Sequence, residues 1–164
     1  MFLMATKNIT VTPIGHVRSL RKDITDDNWG GVISTIVIDS EVLPCEALLG
    51  LDQFSHIEVI FYFDRVPLQK IQYGTRRPRG RSDWPEVGIL AQRGKGRPNL
   101  MGVSRCQLLS VEAFSLKVRG LDAIDGTPII DIKPYMAEFG PIGTVIQPEW
   151  SHEVMKDYYL TIPE

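Results

Sequence analysis

The chain is poor in cysteine, in long apolar runs and in histidine. Its two cysteines, Cys45 and Cys106, stand far apart with no CxxC spacing. That excludes a zinc ribbon and a disulfide framework, fits a reducing compartment, and reads both thiols as small buried apolar side chains. No stretch reaches the roughly 20 apolar residues of a membrane-spanning helix, and the opening Met1–Lys7 run is too short for a signal peptide. The expectation is a soluble, cytoplasmic protein. His16, His56 and His152 have no HxxxH or HxH spacing and are read as core or surface side chains, so no metal is expected. GxGxxG, GxxxxGK[ST] and GxSxG are all missing. A Rossmann dinucleotide site, a P-loop and a hydrolase nucleophile elbow have no support.

What is present is ordinary in bulk and uneven in distribution. The 164 residues are 43% hydrophobic and 23% charged, enough for one domain with a real core. Net charge is −2, yet residues 65–105 carry ten Lys and Arg against Asp83 and Glu86. A basic surface on an acidic body suits a phosphate-bearing partner. The same arginines could instead pair with acids elsewhere in the fold, and charge alone leaves both readings open.

Short apolar stretches separated by Gly and Pro dominate the pattern. Strands are expected over residues 9–17, 32–38, 57–63, 87–91, 101–111 and 129–132, and Phe114, Leu116 and Val118 alternate with polar neighbours at period two. Residues 57–63 are apolar enough to predict a central strand buried on both faces. Many short strands with Gly/Pro turns predict a mainly β fold, a closed barrel with long Arg/Gly-rich loops and few helices. The core is expected over about 9–135, with a C-terminal extension and short helix in 136–164. Residues 44–49, with Pro44 first and Gly50 after, read as one short helix; residues 149–158 read as another. Its stripe Trp150, Val154, Met155 and Tyr158 would pack on the barrel or on a partner subunit. Residues 68–84 form a long loop, which in a compact domain is functional or disordered.

The chemistry-bearing residues gather in the loops. Arg76-Arg77-Pro78-Arg79-Gly80-Arg81 presents rigid donor forks. Gly94 and Gly96 lie among Arg93, Lys95 and Arg97, where a backbone could approach a ligand or simply form a charged hairpin tip. Asp122 and Asp125 could accept ribose hydroxyls or an ammonium, or could cap their own turn. Asp131 and Lys133 read as an ion pair. None of this identifies a reaction.

Taken together, several runs resemble the TsaA-like (TrmO) family. They are Pro13-Ile14-Gly15-His16-Val17-Arg18-Ser19, Phe54-Ser55-His56-Ile57, the Arg76 to Arg81 run, Ala91-Gln92-Arg93, Arg97-Pro98-Asn99, Leu121-Asp122, Asp125-Gly126-Thr127-Pro128 and Asp131-Ile132-Lys133-Pro134-Tyr135. The match covers residues 13–135 in family order. The resemblance implies a β-barrel methyltransferase that binds S-adenosyl-L-methionine at its rim, near a homodimer contact. It implies transfer to the exocyclic nitrogen of threonylcarbamoyl-adenosine beside the tRNA anticodon. The cofactor contacts it implies are Asp26, Asp27, Asn28, Asp64, Arg65, Arg93, Val103, Gly120, Leu121, Asp122 and Ala123. Arg93 would hold the cofactor carboxylate or order its loop, and Asp122 a ribose or amino group. Arg79, Arg97 and Asn99 would face the acceptor nucleotide; no general base can be named.

Two departures stand out. The stretch Gly94-Lys95-Gly96 is more flexible and cationic than the family pattern, and residues 136–164 hold nothing like the DPRPAY motif of longer members' C-terminal domain. That motivates two rival expectations: a methyltransferase acting on a small metabolite, and a barrel that binds cofactor or RNA without turnover.

Overall fold

The computed structural model describes residues 8–161; the Met1–Lys7 run lies outside them. Eight strands form: β1 (Gly15–Ser19), β2 (Ile33–Ile38), β3 (His56–Tyr62), β4 (Thr75–Arg76), β5 (Val87–Gly88), β6 (Met101–Glu112), β7 (Ser115–Arg119) and β8 (Pro128–Pro134). Six of them close a barrel in the order β1-β2-β7-β6-β3-β8, while β4 and β5 form a separate two-stranded ribbon. Every pairing is antiparallel. The barrel closes where Gly15 and His16 of β1 meet Ile129 and Pro128 of β8. Closure removes the open edges that would otherwise invite pairing with another chain.

Period-two alternation builds the interior. Leu116 and Val118 of β7 point inward while Lys117 and Arg119 face out. In β6, Ser104, Cys106 and Leu108 are buried between exposed Val103, Arg105 and Gln107. Val17, Ile36, Ile57, Val59, Phe61, Leu116, Val118, Leu121 and Ile129 are all 0–1% exposed and pack as one cluster. Burial of each such side chain contributes about 1.5–3 kcal/mol, so this cluster dominates the stability of the barrel.

Some expectations are corrected in detail. β3 is central, flanked by β6 and β8, but it is not buried on both faces: Ile57, Val59 and Phe61 are inside while Glu58, Ile60 and Tyr62 are half-buried. An antiparallel barrel wall has one core face, and the other is only partly covered. Residues 87–91 yield a two-residue strand followed by a 3-10 turn, Ile89–Ala91. The 44–49 helix is one 3-10 turn, Cys45–Leu48, and Gly50 turns the chain at φ 84°. Cys45 is exposed there, whereas Cys106 is buried and its thiol is pushed up to about 12 by desolvation. The one α-helix among the described residues, α1, runs Glu149–Met155.

Candidate functional site

The 63–100 span between β3 and β6 is irregular, so its backbone groups need partners outside the barrel ladders. Gln92 supplies several. Buried at 8% exposure, its amide donates to the carbonyls of Arg76 and Val87 at 3.0 Å, and its oxygen accepts from Arg76 Nε. Arg97 donates to the Gln92 carbonyl at 2.7 Å, and Arg77 to the Trp84 carbonyl. Trp84 is buried beneath Arg81, whose guanidinium stacks 4.2 Å from the ring centroid. Arg79 and Asn99 adopt left-handed φ of 50° and 63°. Such strain in non-glycine residues is often held at binding sites.

All of the ten basic residues of the 65–105 span except Lys70 divide into two sets. Arg79, Arg81, Lys95 and Arg105 pair with carboxylates of Asp27, Asp83, Asp26 and Glu58. Arg65, Arg76, Arg77, Arg93 and Arg97 instead donate to backbone carbonyls or to Gln92, and no carboxylate of the described residues lies within ion-pair distance of them. A carbonyl orients a guanidinium without cancelling its charge. Both sequence readings of the arginines therefore hold, for different residues.

Three loops converge beside this span. The early loop is organised by Arg21, which donates to the carbonyls of Asn28 at 3.1 Å and Asp27 at 2.7 Å and lies 3.5 Å from the Trp29 ring centroid. Asp26 and Asp27 then face the Arg loop: Arg79 grips Asp27 in a bidentate pair at 2.9 and 2.6 Å, and Lys95 reaches Asp26 at 3.4 Å. Arg79, expected at the acceptor, is thus engaged with an expected cofactor contact. A groove of about 930 Å³ opens beside the early loop, lined by Arg21, Asp26, Asn28, Ile33, Arg119 and Thr161 among others. Arg93, Val103 and Asp122 do not line it.

The second loop joins β7 to β8. Gly120 takes φ 82°, which only glycine adopts cheaply, and donates to the Val32 carbonyl at 2.9 Å. Leu121 and Ala123 turn into the core at 0% and 3% exposure. Only their backbone can meet a ligand. Asp122 lies between them with one oxygen, Oδ1, buried and without any hydrogen-bond partner. A buried carboxylate oxygen left unpaired is costly, and a ligand donor would satisfy it. Nearby, Arg93 donates to the Val103 carbonyl at 2.8 Å. At the far end of the loop Arg65 donates to the Asp125 carbonyl at 2.8 Å, while Asp125 itself caps the Ser19 N–H at 3.0 Å. Of the two aspartates the sequence singled out, Asp125 holds the turn and Asp122 is left with an open acceptor. Asp64, next to Arg65, follows the end of β3. Asp131 and Lys133 form the expected ion pair at 2.7 Å.

The third segment is the C-terminal one, which sequence reasoning assigned no role in the site. The Asn28 and Trp29 N–H groups donate to the carbonyls of Asp157 and Tyr158 at 3.0 and 2.8 Å. Tyr158 Oη donates to Asp122 Oδ2, and Trp84 Nε1 donates to Glu153 at 2.6 Å. The available signal was Trp29-Gly30-Gly31: consecutive glycines mark a crossing of another segment. A Cβ on Gly30 would fall 2.0 Å from the Tyr159 carbonyl oxygen. Among the described residues no helix is long and apolar enough to cross a membrane, and no group of His, Cys, Asp or Glu could hold a metal ion.

Comparison with known proteins agrees with this geometry. Residues 27–140 match the family described as tRNA-methyltransferase O N-terminal domain. An S-adenosyl-L-methionine-binding protein of Archaeoglobus fulgidus is 35% identical over 128 residues, 77% of this chain and 88% of that protein. The human tRNA (adenine(37)-N6)-methyltransferase is 34% identical over 105 residues, which are 64% of this chain but only 23% of the human protein. A crystal structure of TrmO from Pseudomonas aeruginosa superposes with a TM-score of 0.72 at 28% identity, covering 90% of this chain and 63% of that one. The closed barrel, the Arg-braced rim and the 27–140 match agree: this chain belongs to the tRNA-methyltransferase O (TrmO) family of S-adenosylmethionine-dependent methyltransferases.

Proposed function

We propose that this chain methylates the exocyclic nitrogen of an adenosine, in its threonylcarbamoyl form, beside the anticodon of tRNA. Residues 1–164 act as one barrel unit, as a homodimer in the cytoplasm. The observation that carries the reading is the pairing of two features at one rim. Asp122 offers a buried acceptor with no partner, and five arginines of the neighbouring span carry no carboxylate; two of them reach its surroundings, Arg65 at the Asp125 carbonyl of the same loop and Arg93 at Val103, next to the Ser104 that meets the Asp122 N–H. The acceptor suits a ribose hydroxyl or an ammonium, and the arginines suit phosphates.

When bound, S-adenosylmethionine supplies a methyl carbon made electrophilic by a sulfonium, so the protein's task is to hold and orient. Asp122 accepts from the cofactor, and Gly120, Leu121 and Ala123 offer it their backbone. Arg93 fixes the Val103 carbonyl beside it, and the Asp26-Asp27-Asn28 loop and the Asp64-Arg65 pair complete its surroundings. Arg97 and Asn99 face the acceptor nucleotide, with Arg79 tying the early loop to that side. Calorimetric titration with S-adenosylmethionine is the first test. The wild type binds, and Asp122→Asn loses about tenfold or more in affinity, the equivalent of one charged hydrogen bond. tRNA from a deletion strain lacks one methyl on an anticodon-loop adenosine; an unchanged modification profile sinks the tRNA assignment.

A second reading has its own support. The Archaeoglobus relative, which this chain matches over 88% of its length, is named for cofactor binding alone. On that reading the barrel binds S-adenosylmethionine and acts on a small acceptor, or on none. Cofactor binding without methyl transfer to any RNA would favour it.

A further inference from the structure

The family match ends at residue 140, and the candidate cofactor contacts all precede it. The segment that touches Asp122 from outside that region is the C-terminal one. Its contacts are built in. Asp157 and Tyr158 accept from successive N–H groups of Asn28 and Trp29. Gly30 and Gly31 leave room for it: a Cβ on Gly31 would sit 2.9 Å from Thr161 Cγ2, and one on Gly30 would strike the Tyr159 carbonyl. Glu153 accepts from buried Trp84, and the Val154 carbonyl accepts from Arg79 at 3.1 Å. The strand-like clamp on one side and the Arg loop on the other hold the segment across the rim.

Resting on the cofactor reading above, we infer that Tyr158 is a positioning residue of the cofactor site: its hydroxyl takes Asp122 Oδ2 and so turns Oδ1 toward the cofactor, while residues 157–161 pass against the early loop beside it. A carboxylate has two oxygens, and an unrestrained Asp122 would rotate to satisfy whichever donor came first. With Oδ2 occupied by the phenol, the carboxylate presents one acceptor in one direction, and binding does not have to supply the cost of ordering it. The phenol is suited to this because it can only donate here. Burial, and then the Asp122 charge, raise its pKa far above the working range, so it stays protonated. Tyr159 packs edge-to-face on Tyr158, with centroids 4.9 Å apart at 79°, and restrains the ring.

The test uses the full chain and S-adenosylmethionine itself. Tyr158→Phe removes the hydroxyl and keeps the ring. Its affinity falls about tenfold, the loss of one charge-assisted hydrogen bond. Amide exchange at Asn28 and Trp29 stays protected, showing the segment still docked. The double variant with Asp122→Asn binds no worse than Asp122→Asn alone, because Tyr158 acts only through that carboxylate. Additive losses, unchanged affinity in Tyr158→Phe, or tighter binding once the hydroxyl is gone would each overturn the proposal; the last would make the segment a plug. If the wild type fails to bind the cofactor at all, the cofactor reading falls first and takes this one with it, a result distinct from a wild type that binds and a Tyr158→Phe variant that binds equally well.

Discussion

The barrel wall and the Arg-rich span between β3 and β6 are built on opposite principles. In the wall the backbone bonds pair strand to strand and the side chains need only be apolar and of the right size. Phe61, Leu116 and Ile129 do that work without a single polar contact. In the span there is almost no ladder: β4 and β5 share two residue pairs, and the rest is irregular loop broken by short 3-10 turns. Its carbonyls are satisfied by guanidinium and amide side chains reaching across from Gln92, Arg97 and Arg77. The wall is held by area removed from water and the span by directional bonds. A surface that must orient a charged partner is better made the second way, because directional bonds leave charge exposed and fixed.

This contrast can be broken from either side. The largest effect belongs to the wall. Phe61→Ala, at a residue 1% exposed, removes a ring packed edge-to-face on Phe63 and costs about 3–5 kcal/mol. Thermal denaturation followed by circular dichroism reads it as a global loss, with barrel and loops melting together. Next comes Gln92→Ala in the span, which orphans the Arg76 and Val87 carbonyls and costs about 1–3 kcal/mol. Its signature is local. Native-state hydrogen exchange shows residues 75–97 opening while the Val59 and Val118 amides stay protected. Equal loss of protection in both regions would mean that the span and wall form one cooperative unit.

The smallest effect sharpens the comparison at the seam between them. Burial raises the Tyr159 phenol to about 12 and Tyr158 further still. A phenol with a raised folded pKa is neutral in both states below its unfolded value near 10, so its contribution is fully present there. Above that pH the unfolded chain sheds its proton first, and stability is lost as pH rises toward the folded values. Denaturant titrations should therefore show stability declining above about pH 10, with a shallower slope in Tyr158→Phe. An identical slope in the variant would place that phenol in water.

Much of the wall was legible because its signal is local. The alternation of Leu116 and Val118 with Lys117 and Arg119 states directly which face is inside, and Gly120 and Gly126 mark the turns that follow. The same rule misled at residues 57–63. A run of apolar residues cannot say whether the outer face of a strand is covered, since that depends on what the loops do. Motif resemblance singled out Asp122 and Arg93 as candidates but could not say how either is held. That Asp125 caps a turn while Asp122 keeps an open oxygen follows from which donors arrive from β1 and from the C-terminal segment. Arg21 carried no local mark at all, and Tyr158 was marked only as one residue of a helical stripe expected to pack on the barrel or a partner.

Composition and periodicity alone were enough to specify a mainly β chain, a cationic loop region and the absence of the common phosphate-binding signatures, because each of these is a property of neighbouring residues. Which arginines go without a carboxylate partner, which aspartate faces inward unpaired, and that residues 157–161 cross the rim depend on contacts between segments as far apart as Asn28 and Asp157. Sequence spacing carries no information about such contacts until the barrel closes and brings them within hydrogen-bond reach.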